Sequence, residues 1–369
     1  MNTSLVLSLQ HLTCSRVVTS LFNHLEVQKN FQEKNYETIR CQVLETISRL
    51  IPCTRLQKKL EQFIDPLVRE IENWLNAFQQ NWYGHDSVLH AILESIPRCW
   101  LSDGTIDREK SMRALVKNKD LSPLNRFVFA CTYCFFDDAL DLWNILFKIE
   151  KAHLAHKSST IVKFWIEWLE SSSAKDWELF LAWSLGTPLW HSNVYMLKHA
   201  LPTLSPAERS RHLLKALIGK RISNDVMRFC ISVMTKDEQE QIFRESTVQV
   251  FSCMLSWPLR TIFFDMADNV WPYLTERSFC NVLNMILRTI KNQERVDMDL
   301  LIILKNLWAQ SPCHFQNVAR DDPYLLRPLQ FILDFDVSQV FPKEKFSKSF
   351  CGVMLRRSLR IARRRYRTS

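Results

Sequence analysis

The chain of 369 residues is 47% apolar and 24% charged, enough for a sizeable folded core. Its five glycines, about 1.4% against a usual ~7%, argue against β-sandwiches, Rossmann folds and phosphate-gripping loops. The net charge of +9 sits entirely in residues 343–369, where ten Lys and Arg face one acid, Glu344; the preceding 342 residues balance 38 bases against 38 acids, which excludes a basic surface spread over the whole body.

The eleven cysteines are odd in number and lie mostly in apolar stretches, so a disulfide-stapled secreted scaffold does not fit. Met1 to Cys14 lacks a basic leader, and its apolar run is broken by Ser8 and Gln10. It reads as an amphipathic helix carrying Leu5, Leu9 and Leu12 rather than as a signal peptide. No window reaches 18 apolar residues, and the densest run, Phe127 to Phe136, is about half a membrane span. The expectation is a soluble protein of the reducing cytosol or the nucleus.

Helical periodicity follows. Leu56, Leu60, Phe63, Leu67, Ile71, Trp74, Leu75 and Phe78 recur at three and four, with Asp65-Pro66 either starting a new helix or kinking a long one. Ser102 to Thr105 is the clearest loop and holds the single Asp-Gly. Phe127 to Phe136 reads as one buried helix containing Cys131 and Cys134. A zinc ribbon would need a second such pair, and none follows; a redox site would need a strand before it, so the pair reads as core. Asp137, Asp138 and Asp141 read as the turn and N-cap of the next helix. Glu150 and His153 make one Glu-x-x-His where a di-iron bundle needs two, and read with His156 as a solvated helix end. Trp165, Trp168, Trp177, Trp183 and Trp190 form a cluster that either lines a groove or, more in keeping with the burial of Trp, fills the core.

Helix starts then recur at Ser122-Pro123, Ser205-Pro206, Thr235, Thr275 and Ser311-Pro312. Ser205 with Glu208 and Thr235 with Glu238 fit capping boxes. Ala200 to Ser205 and Val270 to Thr275 share one pattern: small or apolar, apolar, Pro, any residue, Leu, Ser or Thr. The last four caps lie 30, 40 and 36 residues apart, about the length of two short helices and their turns. The fold expected is all-α, built of irregular stacked helical hairpins like an α-solenoid, with a non-repetitive helical globule as the alternative. Three regions are expected: long helices over 1–101, stacked short hairpins over 105–340, and a basic amphipathic helix over 343–369. In the last, Phe346, Phe350, Val353, Met354, Leu355, Leu359, Ala362 and Tyr366 form the apolar stripe.

Two family resemblances can be stated. The run Leu121 to Asp138, LSPLNRFVFACTYCFFDD, and the recurring Leu-Ser/Thr helix starts resemble a set of uncharacterised arthropod helical proteins, which implies no activity. The run Phe346 to Leu359, FSKSFCGVMLRRSL, is similar to the first helix of a SOCS box. That resemblance implies that Phe350, Cys351 and Leu355 contact elongin C, with Arg356 following; Ser347 stands where Leu is expected, and no cullin-contacting Leu-Pro follows. The expected function is a non-catalytic protein-interaction scaffold without cofactor, metal or catalytic residues, acting as a substrate-recognition adaptor with elongin- and cullin-type ligase partners. The alternative is an RNA- or anionic-membrane-binding protein acting through Arg356, Arg357, Arg360, Arg363, Arg364, Arg365 and Arg367. No nucleophile elbow, zincin, Walker or kinase motif is present.

Overall fold

The computed structural model describes residues 7–23, 36–79, 99–171, 176, 178–180, 193–217, 224–293, 297–337 and 339–350. Among these residues the fold is all-α, with no strand; one isolated antiparallel bridge pairs Trp100 with Ile106. The chain divides into two compact units: Ser4–Met234 with Trp257–Thr261, and Thr235–Ser256 with Ile262–Ser369 and Met1–Thr3. This division differs from the boundary expected near residue 102, which falls inside the first unit.

The first unit opens with α1 (Leu9–Phe22), α2 (Tyr36–Leu50) and α3 (Thr54–Gln79), which pack pairwise. α3 runs unbroken past Pro66, so Leu60, Ile64, Leu67, Val68, Ile71 and Trp74 form one buried stripe. Burying each such side chain contributes roughly 1.5–3 kcal/mol. The inward face of α1 is not the one expected. Leu9 is 80% exposed, while His11, Cys14, Ser15, Val18, Thr19 and Phe22 face inward. The small side chain of Ser15 lets the 101–105 turn approach the helix closely.

That turn is the tightest point of the unit. Gly104 donates its N–H to the Leu101 carbonyl at 3.2 Å, and Leu101 N–H bonds the Thr105 carbonyl at 2.8 Å. Gly104 has φ +86°, a region that residues with a Cβ rarely adopt. A Cβ there would run into Ser15 Oγ and lie 2.9 Å from Leu67 Cδ2 and 3.2 Å from Trp257 Cζ2.

Short helices follow: α4 (Arg108–Lys117), α5 (Pro123–Thr132), α6 (Phe136–Ile145), α7 (Lys148–Lys157), α8 (Thr160–Ser171), α9 (Val194–Ala200), α10 (Pro206–Leu217) and α11 (Asn224–Val233). Neighbours in sequence pack as neighbours in space: α4 on α5, α5 on α6, α7 on α8, α10 on α11, with α8 returning to α5. The single helix expected over Phe127–Phe136 is instead two. Cys134 takes φ +57°, and Phe135 N–H reaches back to the Ala130 carbonyl at 2.9 Å, the closure of a Schellman motif. Asp137 and Asp138 therefore sit in the first turn of α6, where they meet the positive helix end, and not at the N-cap, which is Phe135.

The second unit holds α12 (Lys236–Glu245), α13 (Thr247–Met254), α14 (Phe263–Val270), α15 (Glu276–Asn292), α16 (Met298–Gln310), α17 (Cys313–Asp321), α18 (Pro323–Asp334) and a helical segment, α19, over 343–350. α15 is its axis: it packs against α13, α16, α17 and α18 through Phe279, Val282, Leu283, Ile286, Leu287 and Ile290. Both capping boxes form as expected, at Ser205/Glu208 and at Thr235/Glu238. The two matched patterns also fold alike: Leu201–Thr203 and Trp271–Tyr273 are each a short 3-10 turn leading into a side-chain cap. Ser311 differs: it ends α16, and Pro312 precedes α17.

Gly104→Ala is expected to lower the unfolding free energy of the chain by about 2–4 kcal/mol, combining positive-φ strain with overpacking. Chemical denaturation measures it; a loss below about 0.5 kcal/mol, the size of an ordinary surface substitution, would contradict the packing described.

Candidate functional site

The residues singled out by sequence mostly resolve into structure. Cys131 and Cys134 are both buried, and burial pushes both thiols well above their ordinary range, the reverse of a reactive pair. Glu150 Oε2 accepts from Phe147 N–H at 2.8 Å and so caps α7, while His153 and His156 are exposed. Trp165 and Trp168 are core, packed with Phe136 and Phe180; the Trp165 and Phe180 rings stack at 4.0 Å. Trp177, Trp183 and Trp190 lie outside the described residues. Among the described residues no group of three or more His, Cys, Asp or Glu is placed to hold a metal ion.

The polar interior of the first unit has two centres. In one, Arg108 of α4 bonds Glu70 of α3 at 3.4 Å and Asp225 of α11 at 3.2 Å. Burial raises the Glu70 pKa, with Arg108 opposing that rise. For Arg108, burial works toward lowering the pKa, but Asp225 and Glu70 outweigh it and hold the guanidinium charged. Tyr133 and Tyr195 pack beside this clamp with ring centroids 4.5 Å apart, and burial pushes the Tyr133 hydroxyl up to about 12. The arrangement fixes three helices to one guanidinium.

In the other centre, His11 is 4% exposed and lies between the rings of Phe63 and Trp257, at 5.0 and 4.9 Å. Its Nε2 is 3.1 Å from the Asp103 carbonyl, which only accepts, so Nε2 carries the proton. Nδ1 lies 3.3 Å from Thr261 Oγ1, whose single hydroxyl hydrogen is shared with the Pro258 carbonyl at 3.0 Å. The Asp103 carboxylate is held by Arg228 at 3.4 Å and by Thr105. Burial lowers the His11 pKa, with Asp103 opposing it.

The C-terminal basic segment begins on a firm base in the second unit. Phe346 is fully buried, its ring 5.6, 5.3 and 5.3 Å from those of Phe331, Phe341 and Phe350. Lys343 Nζ donates to the Gln293 carbonyl at the end of α15, where the helix dipole is negative. Lys291 Nζ stands 4.8 Å over the Phe350 ring. Phe350, which the SOCS-box likeness assigns to elongin, thus makes intramolecular contacts. Lys345 and Lys348 are exposed. Cys351, Leu355, Arg356, Arg357, Arg360, Arg363, Arg364, Arg365 and Arg367 lie outside the described residues. Elsewhere, in the first unit, the corner between α6 and α7 exposes Ile145, Phe147 and Ile149, at 57%, 74% and 79%. Sequence reasoning did not mark this corner, although alternate apolar residues beside Lys148 and Lys151 were there to be read. No helix among the described residues is long and apolar enough to cross a membrane. Searches of protein-family models, characterised proteins and solved structures find no match to the chain.

The His11 pocket sets a pH dependence with a definite sign. Its pKa is 6.5 in the unfolded chain and lower when folded, so the unfolded state takes up the proton first. Stability is therefore present above the unfolded value and is lost as pH falls through it. Denaturation between about pH 8 and about pH 5 is expected to show this loss in the parent, and a smaller one in His11→Gln. Equal acid sensitivity in both would refute the assignment.

Proposed function

We propose that the chain is a non-catalytic helical scaffold whose C-terminal segment binds a polyanion. One observation carries this reading: the entire net charge of +9 is confined to residues 343–369, behind a neutral body. The anchoring of Phe346 supports it, because the segment starts from a buried aromatic seat and not from a loose end. Arginine and lysine at that density neutralise phosphates and release their counterions, a gain that grows as salt falls. Guanidinium groups add bidentate contacts that an ammonium cannot make.

A second reading, the SOCS-box-like adaptor, draws on the apolar corner at Ile145, Phe147 and Ile149, which is the kind of exposed patch that binds a protein substrate. In that reading Cys351 and Leu355 would engage elongin.

Binding of an anionic polymer, followed by fluorescence anisotropy over a salt series, tests the first reading. The apparent constant is expected to fall linearly on logarithmic axes, with a slope near −0.7 per phosphate neutralised for a single strand. Changing the seven tail arginines to Gln is expected to abolish most of that slope. A salt-independent constant, or one unchanged by the substitutions, would refute it. Elongin C recovered by the parent but not by Cys351→Asp or Leu355→Asp would establish the adaptor instead.

A further inference from the structure

The segment Trp257–Thr261 belongs to the first unit, although the chain on either side of it belongs to the second. It contributes no α-helix, only most of the 3-10 turn Leu259–Ile262. Thr261 N–H bonds the Pro258 carbonyl at 3.4 Å, within the segment itself. Its hold on the first unit is made by side chains around the His11 ring. The Trp257 ring lies 4.9 Å from that of His11 and 5.4 Å, edge-on, from that of Phe63. Leu259 is buried, and Thr261 Oγ1 stands 3.3 Å from His11 Nδ1. The buried Arg260 guanidinium stands 5.8 Å over the Trp257 ring.

A ring that titrates near neutral pH is thus the common contact of the segment. The charged groups around it come from four elements. The 101–105 turn brings the Asp103 carboxylate, already paired with Arg228 of α11 and bonded by Thr105. The segment itself brings Arg260. From α3 comes Lys59, one turn before Phe63 and close enough to act on Cys14. From α1 comes Cys14, whose thiol burial keeps neutral. A proton on His11 adds a further positive charge to this set, on a ring that is 4% exposed and so cut off from bulk water. Both nitrogens would still have acceptors, Nε2 in the Asp103 carbonyl and Nδ1 in Thr261 Oγ1, so the cost is one of charge rather than of lost hydrogen bonds. Burial outweighs the help from Asp103 and holds the His11 pKa below its ordinary value. Opening the segment is the shortest route by which water reaches the ring, because α1 and α3 pack on each other as helices while the segment is short and irregular.

We infer that Trp257–Thr261 is a proton-sensitive strap, closed over His11 while the ring is neutral and released from the first unit when the ring takes up a proton. Release uncovers Phe63 and the part of the 101–105 turn that Trp257 covers. The strap is independent of the polyanion reading above and stands or falls apart from it.

Amide exchange of the full chain, corrected for the intrinsic rate at each pH, tests the strap between about pH 8 and about pH 5. The open strap leaves His11 in water and so binds the proton more tightly than the closed one. The peptide covering residues 256–263 is therefore expected to exchange faster as the pH falls below 6.5, the ordinary value of the ring. Its opening constant is expected to rise by up to about one decade per pH unit, the limit for one proton. Peptides from α5 and α15 are expected to keep their protection, which separates local opening from unfolding of the whole chain. In His11→Gln the amide can donate to the Asp103 carbonyl and accept from Thr261 without taking up a proton, so the pH dependence of the strap is expected to flatten. Thermal melts check that this variant folds; if it does not, the parent profile decides, because a sloped strap beside flat α5 and α15 peptides is what a local titration gives. A flat strap profile in the parent would overturn the inference. So would a slope that survives in folded His11→Gln, or a rise that the α5 and α15 peptides share equally.

Discussion

A chain with five glycines must end its helices without the residue best suited to a left-handed cap. Most helix ends here solve this by passing directly from the last turn into extended backbone, as at Asn118, Leu146, Ser158, Gln293, Ser311 and Phe335. The next helix then opens within a few residues on a side-chain cap or a proline, as at Ser122, Thr235 and Asp322. Connections that short bring several sequence neighbours together, as in α4 on α5 and α5 on α6, while longer-range packing on α3 and α15 completes each unit. Only two described residues take positive φ, Cys134 and Gly104. Each sits where the chain must reverse tightly: one splits what would be a single apolar helix, and the other wedges the 101–105 turn against α1 and α3.

What could be read in advance follows from range. Capping boxes depend on residues three apart, so Ser205/Glu208 and Thr235/Glu238 were legible, as was the kinship of the Leu201–Pro202 and Trp271–Pro272 turns. The all-α class followed from periodicity and from the scarcity of glycine. The features that escaped depend on distant partners. Nothing local says that α1 buries Ser15 and Thr19 and leaves Leu9 in water; that choice is made by α3 and the Gly104 turn. Nothing in the run of apolar residues through Cys134 marks a left-handed position, because the residue there is not glycine or asparagine. Ser311 has the form of a cap, yet Pro312 displaces the helix start by one step.

The same contrast holds for the site. The charge of the C-terminal segment is a matter of counting, and so was visible. Its seat was not: Phe346 becomes an anchor only when Phe331 and Phe341 are folded around it. Phe350 resembles a partner-facing residue in sequence, but the fold turns it toward Phe346 and Lys291. The seat makes the second unit the half of the molecule from which the surplus charge departs, while the first unit spends its buried charge internally, on Arg108 and on Asp103.

Hydrogen exchange on the intact chain, with and without a single-stranded anionic polymer, probes this account at the place where seat and charge converge. Slowed exchange in the peptide containing residues 343–350, with the α4–α6 region unchanged, is the result the account predicts. Protection confined to the first unit, or absent altogether at saturating polymer, would contradict it.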